Sequence, residues 1–371
     1  MTLLVILLTL AVGFFNGAND ISKAIATLVG SGVGRDRTAI LWGSIWTLAG
    51  ALTAIWAAQG LIAAFSGKGL LADVPQGEVF ILAVAVGALV WIWLATRTGL
   101  PVSTTHAITG GLVGAGFILA GPANIHWSFL VGKFALPLAV SPFLSLAMVF
   151  AVFPLLRFSL KRCEGYCVCV QQSAAMVAQP IAFGASKMTM SASAPMVMVG
   201  NTTDCARSPV TVAGIDLVDG LHWLSAGATA FARGLNDAPK VLGLGVVAAA
   251  AIGLPLTWAF VLVAVAMTAG SLLKGLRVVE TLSRKVTPME PLEGLAANFV
   301  TAILVVFASK LALPVSTTHV SSGAIIGLGL RRDARQVRWK TVRDMLLAWI
   351  VTLPVAGLIA AATLFILQKL P

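Results

Sequence analysis

The hexapeptide Pro101-Val102-Ser103-Thr104-Thr105-His106 returns unchanged as Pro314-Val315-Ser316-Thr317-Thr318-His319. A second shared segment precedes each copy: Gly17-Ala18-Asn19-Asp20-Ile21-Ser22-Lys23 in the first half, Gly234-Leu235-Asn236-Asp237-Ala238-Pro239-Lys240 in the second. Aspartate and proline are 81 residues apart in one half and 77 in the other. A six-residue identity at matched order and spacing is far beyond chance. The chain is one unit written twice, and its fold must accommodate the unit twice.

Composition decides what the unit is. Of the 371 residues, 58% are hydrophobic and 11% charged, with a mean hydropathy of +0.95, whereas soluble domains carry about 25% charged residues. Thr38 to Ala64 holds no charge, and Val342 to Leu367 has only Arg343 and Asp344 near its start. Such runs reach the roughly 20 apolar residues needed to cross a hydrocarbon core. Spans are expected at about 2–30, 39–63, 78–95, 101–119 and 127–156, then at about 212–248, 255–273, 290–308, 314–329 and 342–368. Met1 to Phe15 lacks a charged n-region and a small-residue cleavage site, so it reads as a retained first span. The expected fold is an all-α polytopic membrane protein of two repeats, 1–156 and 212–371, around a central segment at 157–211. Five spans per repeat is an odd number. The second repeat then enters from the opposite side, giving inverted-topology repeats, commonly with broken or re-entrant helices.

The basic residues orient the chain. With both termini outside, 18 of the 25 lysines and arginines fall in inward segments, four in outward ones, and three (Lys23, Arg233, Lys240) within spans. That bias follows the positive-inside rule. It predicts a multi-pass protein of the plasma (inner) membrane with a cytoplasmic central segment. The loop Gly121 to Trp127 has no lysine or arginine, while its counterpart carries six. The net charge of +11 is therefore distributed among loops, with no single basic domain suited to nucleic acid.

The duplicated residues suggest a chemistry. An aspartate near the middle of a span costs about 2.5–3.5 kcal/mol on insertion scales, so it normally lines a cavity or holds a cation. Asn19 and Asn236 add neutral oxygens beside Asp20 and Asp237, the kind of ligand a hard cation such as Na⁺ favours. Gly17, Gly234 and Pro239 permit a helix break there. Pro-Val-Ser-Thr-Thr reads as a helix start with proline in the first turn. Its free N–H groups and the hydroxyls of Ser103, Thr104 and Thr105, and of Ser316, Thr317 and Thr318, make an anion cradle. Hydroxyls donate and accept, which suits a partly protonated oxyanion.

On these motifs the chain resembles the PiT family of inorganic phosphate transporters, over about 1–156 and 212–370. The resemblance implies a secondary transporter for inorganic phosphate driven by a monovalent cation, Na⁺ or H⁺, with no resident cofactor and with pairing into a homodimer in the bilayer. It implies Asn19, Asp20, Asn236 and Asp237 as coupling-ion ligands. Ser103, Thr104, Ser316 and Thr317 become phosphate contacts, with Thr105 and Thr318 close by. The chain departs from the family at one point. The family commonly reads Asn-Asp-Val-Ala-Asn, and both halves here put lysine, Lys23 and Lys240, where the last amide belongs. At i, i+3 each lysine can pair with its aspartate. A tethered ammonium would then replace a coupling cation in each half, favouring H⁺ coupling or weak Na⁺ dependence; the alternative is a lysine snorkelling to an interface.

Other residues carry paired expectations. His106 and His319 are either hydrogen-bonded within helix packing or members of a proton relay. His126 and His222 sit near expected span ends and read as interfacial. Arg233 either attracts the anion or pairs with Asp216 or Asp219. Glu78 and Glu293 begin the third spans, as gating carboxylates or as first-turn partners of the helix dipole. The central segment holds all four cysteines, Cys163, Cys167, Cys169 and Cys205, with Met188, Met190, Met196 and Met198 beyond. In a reducing cytoplasm clustered thiols bind soft metals more often than they form disulfides. Their spacing matches no zinc pattern, so a small regulatory or dimer-contact appendage with short strands is expected and no metal is assigned. Sulfate is the competing substrate. An enzyme would need an asymmetric catalytic constellation, which a symmetric duplication does not supply, and a phosphate-sensing receptor usually carries a larger signalling domain.

Overall fold

The computed structural model describes residues 1–71, 77–163, 165–172, 174–180, 186–192, 194–207 and 211–369. In the first half the apolar runs form α1 (Thr2–Gly30), α2 (Asp36–Ala57), the short α3 (Gly60–Phe65), α4 (Glu78–Thr98) and α5 (Thr104–Ala120). A turn, α6 (Trp127–Phe129), continues through a π-helical stretch, Leu130–Ala135, into α7 (Leu136–Leu160). The second half repeats the series as α9 (Leu217–Ala251), α10 (Leu256–Lys274), α11 (Leu276–Arg284), α12 (Pro291–Lys310), α13 (Thr317–Asp333) and α14 (Trp339–Leu367). Among the described residues, seven helices are long and apolar enough to cross a membrane. The other three expected spans differ for clear reasons. Helix α9 has 35 residues but contains Asp219, Arg233, Asp237 and Lys240, and α5 and α13 have 17 residues each.

The two halves complete one another. Helix α2 packs on α9 as α10 packs on α1; α14 packs on α5 as α7 packs on α13; α1 lies against α4 as α9 lies against α12. Each of these contacts has its counterpart when the halves are exchanged, an arrangement compatible with two inverted repeats. Small residues let these helices approach, as expected where lipid offers no hydrophobic contrast. A Cβ on Gly114 would run into the backbone of Gly357, and one on Gly50 into the carbonyl of Phe231.

The helix break lies elsewhere than expected. Helices α1 and α9 run unbroken through Asn19-Asp20 and Asn236-Asp237, with Pro239 inside α9. Gly17 and Gly234 serve packing instead: a Cβ at Gly17 would strike the Met267 carbonyl of α10, and one at Gly234 the Thr47 carbonyl of α2. The breaks occur at the hexapeptides. Helix α4 ends on Gly99 in the left-handed region (φ +74°), and the turn after α12 has Ala312 at φ +51°. Pro101 and Pro314 precede the helices, holding the connectors extended, and the N-caps are Ser103 and Ser316. Thus α4–α5 and α12–α13 are helix–break–helix hairpins.

Between α7 and α9, β1 (Tyr166–Gln171) is the middle strand of an antiparallel sheet, flanked by β4 (Met196–Asn201) and β5 (Thr211–Asp216). Strands β2 (Ala174–Pro180) and β3 (Ser186–Ala192) form a separate hairpin, and α8 (Thr202–Arg207) follows β4. Because β5 occupies 211–216, the second repeat's first helix starts at Leu217 and not near 212.

Candidate functional site

The tips of the two hairpins meet inside the protein. Thr105 Oγ1 donates to the Val315 carbonyl (3.2 Å), and Thr318 Oγ1 donates to the Val102 carbonyl (2.8 Å). Ser103 and Ser316 accept from the backbone N–H of His106 and His319, both at 3.2 Å, closing the first turn of α5 and of α13. That leaves the N–H groups of Thr104, Thr105, Thr317 and Thr318, at the first two positions of each helix, without intrahelical acceptors. Beside the tips run α1 and α9, carrying the duplicated charges.

Each lysine pairs with its aspartate and reaches a hairpin. Lys23 Nζ donates to the Asp20 carboxylate and to the Val102 carbonyl (2.8 Å). Lys240 Nζ donates to Asp237 Oδ1 (3.3 Å), the Val315 carbonyl (2.7 Å) and Thr105 Oγ1 (2.8 Å). Both lysines are 1% exposed or less, so neither snorkels to an interface. Asn19 fastens the first tip: its amide donates to Leu100 O (3.0 Å) and Thr96 Oγ1 (3.3 Å), and its oxygen accepts from Val102 N (3.1 Å). Asn236 does the same in the second, donating to Asp237 Oδ1 (3.0 Å) and Val315 O (3.4 Å) and accepting from Ser309 Oγ (3.2 Å). Both amide oxygens, expected as ion ligands, are engaged by the protein.

One site residue escaped the sequence reading. Asn16 Nδ2 faces Asp20 Oδ2 (3.1 Å), Thr104 Oγ1 (3.0 Å) and Asp237 Oδ2 (3.4 Å), bridging the two halves, while its Oδ1 is buried without a partner among the described residues. The signal was available: Asn16 stands four residues before Asp20 as Arg233 stands four before Asp237. Arg233 itself does not pair with Asp216 or Asp219. Continuous α9 sets those acids 14 or more residues away, at least about 20 Å along the axis. Arg233 Nη2 donates to Thr47 Oγ1 (2.7 Å) and Ser271 Oγ (3.4 Å), and Nε and Nη1 are buried without partners among the described residues.

The side chains of the remaining candidates take no part in these hydrogen bonds. The His106 and His319 rings lie against one another at a 44° tilt with centroids 4.6 Å apart, and His319 Nδ1 contacts the Leu138 carbonyl (3.0 Å). His126 is exposed against Gly69 O, as expected, but His222 is fully buried against Thr27 Oγ1 (3.1 Å), because α9 continues past it into the core. Glu78 accepts from Thr2 Oγ1 (2.6 Å) at the start of α4. Glu293 forms a capping box with Glu290 and contacts Arg332 (3.4 Å). Both glutamates stand at helix starts, far from the tips.

In the central segment Cys169 and Cys205 form a disulfide, against the expectation of free thiols there. Cys167 Sγ lies within 4.8 Å of both because β1 presents Cys167 and Cys169 to α8, while Cys163 stays apart. Met196 and Met198 are exposed on β4, where Met198 stands directly across the strands from Cys169; the side chains of Met188 and Met190, and Glu164, lie outside the described residues.

The model of the phosphate transporter family matches residues 16–360, spanning both hairpins and all the buried charges. The chain belongs to that family. Among related sequences, a chloroplastic inorganic phosphate transporter of Arabidopsis thaliana is 30% identical over 98% of this chain and 72% of its own length. A probable low-affinity inorganic phosphate transporter of Mycobacterium bovis is 29% identical over 98% and 76%. A putative phosphate permease of Pyrococcus abyssi is 28% identical over 97% and 96%. A solved structure described as the sodium-dependent phosphate transporter superposes with a TM-score of 0.78 at 22% identity, covering all of this chain and 99% of its own. This phosphate transporter family member shares that neighbour's fold, its seven long apolar helices make it a multi-pass membrane protein, and the family is one of transporters and not of enzymes.

Proposed function

We propose that this family member carries inorganic phosphate by alternating access in cation-driven symport, with one phosphate held between the hairpin tips. The observation that carries this is the convergence of two identical helix starts on one buried set of charges. Each start offers free N–H groups and the positive end of a helix dipole. Thr104 and Thr317 add hydroxyls, and Asn16 and Arg233 stand on the α1 and α9 side. Asp20 and Asp237 are balanced by Lys23 and Lys240, so Arg233 leaves the set with one positive charge for an anion.

Phosphate is favoured over sulfate because Asp20 and Asp237 can accept a proton carried by the substrate. Sulfate brings no proton for those carboxylates and would face them as a bare dianion. Burial supports alternating access: Asp20, Asp237 and the six hydroxyl residues are at most 5% exposed, so substrate would enter and leave by the hairpins parting. The Thr105–Val315 and Thr318–Val102 bonds are the ones such an opening would break. A cation driver is supported by the carboxylates and by a structural neighbour described as sodium-dependent. The basic-residue distribution supports an orientation with both termini outside, and the family resemblance supports a homodimer. Radiolabelled phosphate uptake into proteoliposomes, with sulfate as competitor and with Na⁺ and pH gradients imposed separately, tests the proposal. Saturable uptake that sulfate barely inhibits is expected; strong sulfate competition would move the substrate to another oxyanion.

A further inference from the structure

We infer that Lys23 and Lys240 are resident cations, each filling the position a sodium ion would otherwise take, so that this chain binds and moves phosphate without sodium. The inference rests on the phosphate reading above. Among the described residues every hydrogen-bond partner of each ammonium is an oxygen, and Lys240 Nζ also lies over the Phe65 ring, 5.8 Å from its centroid. Lys23 Nζ has the Asp20 carboxylate and the Val102 carbonyl. Lys240 Nζ has the Asp237 carboxylate, the Val315 carbonyl and the Thr105 hydroxyl. A carboxylate, a carbonyl freed by a helix break and a hydroxyl are the donor set from which unwound transporter segments build monovalent cation sites. The carbonyls matter most. Val102 and Val315 lie in the connectors ahead of α5 and α13, where no helical N–H competes for them, and each points at a lysine.

The two positions are equivalent by the duplication. The same step after the same aspartate reaches the same carbonyl of the same hexapeptide, in both halves. Of the nearby amide oxygens, those of Asn19 and Asn236 are occupied, accepting from Val102 N and Ser309 Oγ, while Asn16 Oδ1 has no partner among the described residues. A free Na⁺ at either place would have to displace a tethered ammonium from its carboxylate. The competition is unequal, since the lysine loses no translational freedom on binding and is present at every salt concentration. A second cation beside either lysine would also meet its charge, and Arg233 adds a further positive charge nearby. The resident ammonium does a second task that a mobile ion cannot: Lys240 ties α9 to both hairpins at once, through Val315 of one and Thr105 of the other.

The test uses the full chain in two measurements. In the first, the purified protein binds ³²P-phosphate in choline or in sodium buffer at equal pH and ionic strength. The dissociation constant is expected to agree within about twofold, and proteoliposome uptake is expected to persist with ²²Na⁺ failing to accumulate beside phosphate. In the second, Lys23→Asn and Lys240→Asn are combined, removing the ammonium groups and offering amide oxygens. Uptake by this variant is expected to become sodium-dependent by tenfold or more. Because that variant could misfold, the wild-type measurement stands by itself. Phosphate binding or uptake that falls tenfold without sodium, or stoichiometric ²²Na⁺ entry, would overturn the inference while leaving phosphate transport intact. Absence of phosphate binding in every ionic condition would instead overturn the phosphate reading on which it rests.

Discussion

Removing one member of the Asp20–Lys23 pair should be worse than removing both. The two side chains are 2% and 1% exposed, so neither Asp20→Asn nor Lys23→Met lets water solvate the charge left behind. Breaking a buried pair by deleting one partner costs about 3–5 kcal/mol. The double variant Asp20→Asn with Lys23→Met buries no charge. It loses the Val102 carbonyl's ammonium donor, for about 1 kcal/mol net, and regains part of the packing through the isosteric amide and thioether. The singles should therefore each fall about 3–5 kcal/mol below wild type and the double about 1–2 kcal/mol, a coupling that double-mutant cycles are designed to reveal. Unfolding in mixed micelles, followed through the ten tryptophans, reads these differences. At about 2 °C per kcal/mol the singles would also melt about 6–10 °C early. The corresponding cycle on Asp237 and Lys240 should give a larger lysine cost, by about 1 kcal/mol, because Lys240 has the additional Thr105 contact. A double variant as unstable as the two singles added together would refute the reasoning, since the charges would then be stabilised independently.

Three further perturbations probe other parts of the account. Gly17→Leu should separate α1 from α10, since its Cβ runs into the Met267 carbonyl, and should destabilise by about 1–3 kcal/mol or more in the same micellar assay, whereas the substitution at Gly32, with no atom near its Cβ, should be felt only through its backbone (φ +80°). Arg233→Gln should raise the KM for phosphate about 10- to 100-fold, the equivalent of one lost charge-assisted hydrogen bond, with thermal stability held near wild type by removal of an unpartnered charge. Protein denatured without reductant should expose two reactive thiols, Cys163 and Cys167, and four after reduction, as counted by mass shift with iodoacetamide.

Much of the fold was written in the sequence because the bilayer leaves few choices: a chain this apolar must satisfy its backbone in helices. The repeat made the two halves legible, and the i, i+3 step from Asp20 to Lys23 correctly anticipated a buried pair. The location of the helix break was not legible. Gly17 and Gly234 look like breakers in one dimension, but a glycine is equally demanded wherever another backbone must come close, and only the placement of Met267 and Thr47 decides between the two. His222 misled for a similar reason. Its position near an expected span end suggested an interface, yet α9 is long enough to carry it into the core against Thr27. Asn16 went unremarked because its chemistry is ordinary; its meaning comes from bridging Asp20, Asp237 and Thr104, which are distant in sequence. The disulfide of Cys169 and Cys205 depended on strand register and on α8, which spacing alone does not give.

The account's central claim is that the two hairpin tips form one phosphate site. Equilibrium binding of ³²P-phosphate to the purified chain, and to Thr104→Val and Thr317→Val, tests it most directly. One phosphate per chain is predicted, with affinity falling about tenfold or more in each variant, because a hydroxyl is lost from the same site either way. Two phosphates per chain, or a variant at either tip that binds as wild type does, would contradict it.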